Sequence, residues 1–268
     1  MHFHWGLRAS SPRLTRLIRT LLVAERQLIG SRPRAVSALP TPDALSTWCH
    51  RCGSTVHDSR GRVQFNAIAY GCVRCAGRRI ERDRTVRLGR YDGAWRDAVL
   101  EVKHSGDRAL AQRLGRLLAE QWMREVESAP KSSRLTLARA LLVPIPMPLA
   151  RRIERGIDHT AEITRGISST TGIPIHNCLT HDSGPVQAEM TELSRHGRLQ
   201  RIHPNAKPNA KLIAKQPDFG CHPLLIVVDD VLTTGSTLLQ ASNALKSLFP
   251  SASIAALVVA VADKRRNA

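Results

Sequence analysis

Apolar positions along this chain fall into two textures. From Asp97 to Ala119 they recur at helical spacing, through Ala98, Val102, Leu110, Leu114, Leu117 and Leu118. Elsewhere they form short continuous runs: Ala140 to Ile145, Ile173 to Ile175, Leu224 to Val228 and Ile254 to Val261. Runs of that length read as buried strands, and buried strands separated by helices imply a parallel sheet covered on both faces. The expected fold class is α/β.

The first 90 residues look different. Leu14, Leu17, Ile18, Leu21 and Leu22 make one stripe of a helix, with Arg13, Arg16, Arg19 and Arg26 among the other positions. The arginines interrupt any secretory apolar core, so this amphipathic helix is expected to dock on the protein's own core and not to act as a signal peptide. Pro33, Pro40 and Pro42 then mark an extended linker, and residues 48–90 carry four of the six cysteines. Three segments follow: a basic helix and linker at 1–47, a small cysteine module at 48–90, and an α/β domain at 91–268. Inside that domain, residues 181–220 lack apolar periodicity and contain Pro185, Pro204, Pro208 and Pro217, which reads as a functional loop or an insertion. No apolar run is long enough to span a bilayer, and a cytoplasmic location is expected.

Composition adds one constraint and charge another. Aromatic residues make up 4% of the chain, which argues against a stacking surface for sugars or bases. The formal net charge is +18, with 17 Arg against 5 acidic residues in 1–90 and 23 Lys or Arg against 17 in 91–268. A basic N-terminal third favours nucleic acid, anionic lipid or a phosphorylated ligand without choosing among them.

Cys49 and Cys52 form one CxxC, Cys72 and Cys75 a second, and 19 residues separate the pairs. Two such knuckles close a tetrahedral four-thiolate shell, so these four residues are the expected ligands of one structural zinc. His50 and His57 lie nearby but are not needed as ligands, and Cys178 and Cys221 have no metal-like spacing.

The most informative segment is Leu224 to Leu238, LLIVVDDVLTTGSTL. An apolar strand carries Asp229 and Asp230 at its end, then Thr233, Thr234, Gly235, Ser236 and Thr237 form a hydroxyl-rich turn, and Leu238 onward is helical. Backbone N–H groups of a turn that opens a helix make a nest for phosphate, and the hydroxyls add donors. Two carboxylates accept hydrogen bonds from vicinal ribose hydroxyls. Mg²⁺ would relieve the repulsion between these acids and ligand phosphates. A Walker A ending and a GxGxxG fingerprint are both absent.

VVDDVLTTGSTL resembles the phosphoribosyl-pyrophosphate signature of type I phosphoribosyltransferases. Further stretches resemble the ComF family: Tyr91 to Gly93, Lys103, Gly106 with Asp107, the Val143 to Pro146 strand end with Arg155 and Gly156, and Gln187, Met190, Arg195 and Arg198. Asp158 and His159 stand where that family has Asn and Gln. The resemblance implies a type I phosphoribosyltransferase-like sheet preceded by a zinc ribbon, with 5-phosphoribosyl-1-pyrophosphate (PRPP) and Mg as ligands. It implies that Asp229 and Asp230 meet the ribose hydroxyls and that Thr233 to Thr237 cradle the 5′-phosphate, with Val231 among the PRPP-binding residues. Lys103 and Arg155 join the two acids as candidate catalytic residues. Arg151 and Arg152 are candidates for the pyrophosphate, and Gln187 and Arg195 for a lid. Two functions stay open: transfer of the phosphoribosyl group to an acceptor, or a non-catalytic role in DNA uptake beside the competence machinery, with single-stranded DNA on the basic zinc module.

Overall fold

The computed structural model describes residues 39–56, 71–72, 75, 80–128, 140–181, 202–204 and 223–263. The N-terminal amphipathic helix, Gln187, Met190, Arg195, Arg198, His57 and Cys221 lie outside the described residues. In chain order the elements are β1 (Arg84–Arg90), α1 (Gly93–Ser105), α2 (Arg108–Ser128), β2 (Ala140–Pro144), α3 (Leu149–Arg155), α4 (His159–Thr171), β3 (Leu179–His181), β4 (Ile202–Pro204), β5 (Leu224–Leu232), α5 (Ser236–Leu248) and β6 (Ser253–Val261).

Strands β1, β6, β5 and β2, in that spatial order, form one sheet in which every pair is parallel. Alternate side chains of each strand feed two separate cores. Leu142, Leu224, Ile226, Val228, Leu257 and Val259 pack under α1, α2 and α4. Leu141, Val143, Leu225, Val227, Ala256 and Val258 pack under α5 and the small antiparallel pair of β3 and β4. The sheet is thus covered on both faces, the α/β architecture expected from the apolar runs.

Three details differ from the pattern. The helical stretch from Asp97 to Ala119 is two helices: Gly106, at φ +70°, ends α1, and Asp107 Oδ1 accepts from Leu110 N–H at 2.9 Å to start α2. A left-handed residue stops the first helix and an N-cap starts the second. Ile173 to Ile175 contributes only a single bridge, Leu142 to Ile175, along the edge of β2. The sheet also begins before Tyr91, because β1 pairs with β6 along its length. Thr85 and Arg87, both fully buried, interrupt the apolar pattern of β1. Arg87 is held there by Asp43 Oδ2 at 2.8 Å, Gly53 O at 2.9 Å and Thr55 Oγ1 at 2.9 Å, with its guanidinium over the Trp48 ring. Its Nη1 and Nη2 are thus bonded, while Nε has no hydrogen-bond partner among the described residues; paired in this way a buried cation is compatible with a core position.

Helices α2 and α4 approach closely at two glycines. A methyl group at Gly115 would sit 2.0 Å from Ile163 O, and one at Gly166 would sit 2.1 Å from Gln112 O. Only glycine permits that backbone contact. It brings the N-terminus of α4, and with it His159, against the sheet.

Candidate functional site

The first knuckle is shaped by its backbone: Cys49 N–H donates to Ser54 O at 2.8 Å and Gly53 N–H to Cys49 O at 2.7 Å. In the second, Cys75 N–H donates to Cys72 O at 2.9 Å. The four sulfurs lie within 4.8 Å of one another, with Cys49 Sγ to Cys75 Sγ at 3.9 Å and Cys52 Sγ to Cys72 Sγ at 3.6 Å. Zinc–sulfur bonds of about 2.3 Å in a tetrahedron put sulfurs about 3.8 Å apart. Hydrogen bonds from Cys52 and Cys72 hold the Cys49 thiol well down. The contact with Cys49 pushes Cys72 up, and burial pushes Cys75 up to about 11. Such a cluster carries four thiolates only with a cation among them. The residues fit zinc, and the four together could hold one ion.

The second site lies at the C-terminal end of β5, where parallel α/β sheets bind ligands. Strand pairing continues past the apolar run, with Asp229 opposite Val258 and Leu232 opposite Val261. Both acids therefore sit inside β5, near its end. Asp230 is buried on the face of α1 and α4. Its Oδ2 lies 2.8 Å from Lys103 Nζ and 2.6 Å from His159 Nε2. Neither approach is aligned as a hydrogen bond, and Oδ2 has no other hydrogen-bond partner among the described residues. Burial alone would raise its pKa, but His159 and Lys103 together hold it down, to about 2.

Asp229 is half-buried, and its Oδ1 accepts from Asp230 N–H at 2.9 Å. Burial first, and the neighbouring Asp230 second, push its carboxyl up to about 8. The two adjacent acids are thus driven in opposite directions, Asp229 toward its protonated form and Asp230 toward its carboxylate.

The turn after β5 keeps its hydroxyls outward. Thr233, Thr234 and Thr237 are exposed, Thr234 Oγ1 and Ser236 Oγ are 3.0 Å apart, and Gly235 at φ +80° opens α5 with no side-chain cap. Gly235 needs the left-handed region that a Cβ disfavours. Val231 is part-buried against the first core.

Of the residues singled out in the sequence, the fold brings Lys103, Asp229, Asp230 and Arg155 to one end of the sheet. Arg155 reaches the group through His159, with Nη1 3.4 Å from Nδ1. Arg151 and Arg152 are exposed on α3. Asp158 caps α4, accepting from Ala161 N–H at 3.0 Å. His159 stands out in the sequence only as a departure from the family's Gln, with no role attached to it. A single His after a capping Asp carries no spacing signal, and its place beside Asp230 follows only from the packing of α4.

Among the described residues, no helix is long and apolar enough to cross a membrane. No family model matches the chain. It is similar to Competence protein F of Haemophilus influenzae, 24% identical over 228 residues that cover 85% of this chain and 88% of that protein. That likeness over most of both chains, the clustered cysteines and the parallel sheet support the ComF family for this chain, a phosphoribosyltransferase-like protein in its fold.

Proposed function

We propose that the chain binds PRPP with Mg at the C-terminal end of β5 and transfers its phosphoribosyl group to an acceptor. The observation that carries this reading is Asp230, a buried carboxylate held between Lys103 and His159 beside an uncapped, hydroxyl-rich helix start. Asp229 and Asp230 accept hydrogen bonds from the ribose hydroxyls, and the turn from Thr233 to Thr237 donates to the 5′-phosphate. The bond from the anomeric carbon to pyrophosphate breaks as the acceptor's bond forms, and pyrophosphate leaves with the electron pair. Positive charge that develops on the ribose is offset by the ionised Asp230. Lys103, with Arg151, Arg152 and Arg155 from α3, meets the departing phosphates. Bound Mg²⁺ supplies neutralisation of the pyrophosphate charge.

Calorimetry tests this. PRPP with Mg²⁺ should bind the wild type, and Asp229→Asn with Asp230→Asn should weaken binding by on the order of 2–5 kcal/mol, since amides present donors to hydroxyl hydrogens. No binding to the wild type, or unchanged binding to the double variant, overturns the reading.

A second reading is favoured by the likeness to a competence protein and by the excess of Arg in residues 1–90. It is a non-catalytic accessory of DNA uptake, with single-stranded DNA on the basic zinc module. Trimming the chain at Tyr91 would also remove β1, so the test uses charge reversal: Arg60→Glu with Arg62→Glu should weaken single-stranded DNA binding and flatten its salt dependence. Equal binding and equal slope would remove this reading.

A further inference from the structure

Between the cysteine knuckles and the turn that opens α5 lies a cavity of about 250 Å³. Its lining includes Cys52, Ser54 and Cys75 from the knuckles and the turn from Thr233 to Ser236. Arg82 lines the cavity too, from the segment that joins the second knuckle to β1. It is 7% exposed. Its Nε donates to Thr85 Oγ1 at 2.7 Å, and Thr85 Oγ1 in turn donates to Arg51 O at 2.8 Å. Among the described residues this is the one hydrogen bond Arg82 makes. A guanidinium presents its N–H donors in a rigid fork suited to a phosphate group, and this one stands on the lining of a cavity that also takes in the hydroxyl-rich turn.

Electrostatics gives the arrangement a purpose. Four thiolates around one zinc carry a net charge of about −2, and a phosphomonoester at the turn brings about another −2. Two such groups across one small cavity repel strongly unless a cation stands between them. Arg82 is the cation on that cavity's lining. We propose that Arg82 is a phosphate-contacting residue of the sugar-phosphate site, and that the metal-bound knuckles form the wall that holds it there. This rests on the reading given under Proposed function, and it makes the cysteine module a structural part of the site.

The knuckle is fixed closely enough to act as that wall. A methyl group at Gly53 would sit 3.0 Å from Thr85 Cγ2 and 3.0 Å from Val261 Cγ2, so the first knuckle turn rests on the ends of β1 and β6.

The probe is ribose 5-phosphate, which has the phosphomonoester but no pyrophosphate, titrated into the full zinc-bound chain beside PRPP with Mg²⁺. Arg82→Gln should weaken both ligands by about ten-fold or more, the loss of one charge-assisted contact. Arg82→Lys should recover part of that, because it restores the charge without the fork. Zinc content should stay at the wild-type value in both. Should Arg82→Gln fold poorly, Ser54→Asp provides an independent reading by setting a carboxylate against Arg82 in the cavity. It too should weaken ribose 5-phosphate while zinc is retained. Wild-type affinity in Arg82→Gln or in Ser54→Asp overturns the assignment of Arg82 while leaving PRPP binding standing. If the wild type binds neither ligand, the reading of the site falls and the assignment falls with it.

Discussion

Asp229 and Asp230 are neighbours in sequence with opposite titration behaviour, because Asp230 faces Lys103 and His159 while Asp229 faces burial and its neighbour's charge. An unfolded chain ionises Asp229 above about pH 3.9, whereas the folded chain holds its proton to about pH 8. The native state therefore binds more protons across that window, and the residue costs stability progressively as pH rises through it. Asp229→Asn should raise the unfolding temperature at pH 8 and leave it nearly unchanged near pH 4, as thermal unfolding at the two pH values would register. Ligand binding has the opposite sign. If a ribose ligand with Mg²⁺ needs the carboxylate, affinity should rise toward pH 8 with release of up to one proton, measured by calorimetry in buffers of different ionisation enthalpy. His159 offers a further test at this scale. A Gln amide can reach Asp230 Oδ2 from the position of His159 Nε2, which lies 2.6 Å away, so His159→Gln should keep PRPP affinity within a few-fold. His159→Ala leaves Asp230 with Lys103 alone and should weaken it by about ten-fold; equal affinity in both variants would show that His159 does not support Asp230.

At the scale of elements, the site depends on how two helices meet. Lys103 comes from the last turn of α1 and His159 from the first residue of α4, and α4 is seated against α2 by Gly115 and Gly166. Backbone oxygens 2.0 and 2.1 Å from an added methyl group cannot swing aside as a side chain would. Gly115→Ala should cost about 1–3 kcal/mol in urea unfolding, the range for overpacking a fixed contact. It should also lower PRPP affinity, since relief of the clash moves the helix that carries His159. Destabilisation with unchanged affinity would mean that the site tolerates that movement. Periodicity marked the stretch that becomes α1 and α2 without separating them and gave no sign of α4, and the glycine contact was not legible either: an isolated glycine in a helical pattern does not disclose which partner approaches it.

For the molecule as a whole, the cysteine module is packed and hydrogen-bonded onto the sheet. Trp48, next to Cys49, is buried within the main core, and Arg87 of β1 ties Gly53, Thr55 and Asp43 together. Chelation of zinc, or Cys49→Ser, should therefore lower the unfolding temperature of the whole chain and reduce amide protection in β1, with one zinc per chain lost by metal analysis. Full protection of β1 in the metal-free protein would mean that the module unfolds alone. The sequence by itself determined what depends on local order. Strands β2, β5 and β6 follow from apolar runs, the four-cysteine cluster from paired CxxC spacing, and the acidic strand end with its hydroxyl-rich turn from the order of residues in Leu224 to Leu238. Each is a short-range pattern whose physical meaning is the same wherever it is placed. The tertiary structure decided what depends on distant segments meeting: β1 as a sheet strand despite buried Arg87, His159 beside Asp230, and Arg82 on the cavity shared by knuckle and turn. Burial of a charge and the pairing of side chains from separate elements are set by packing, which no local pattern encodes.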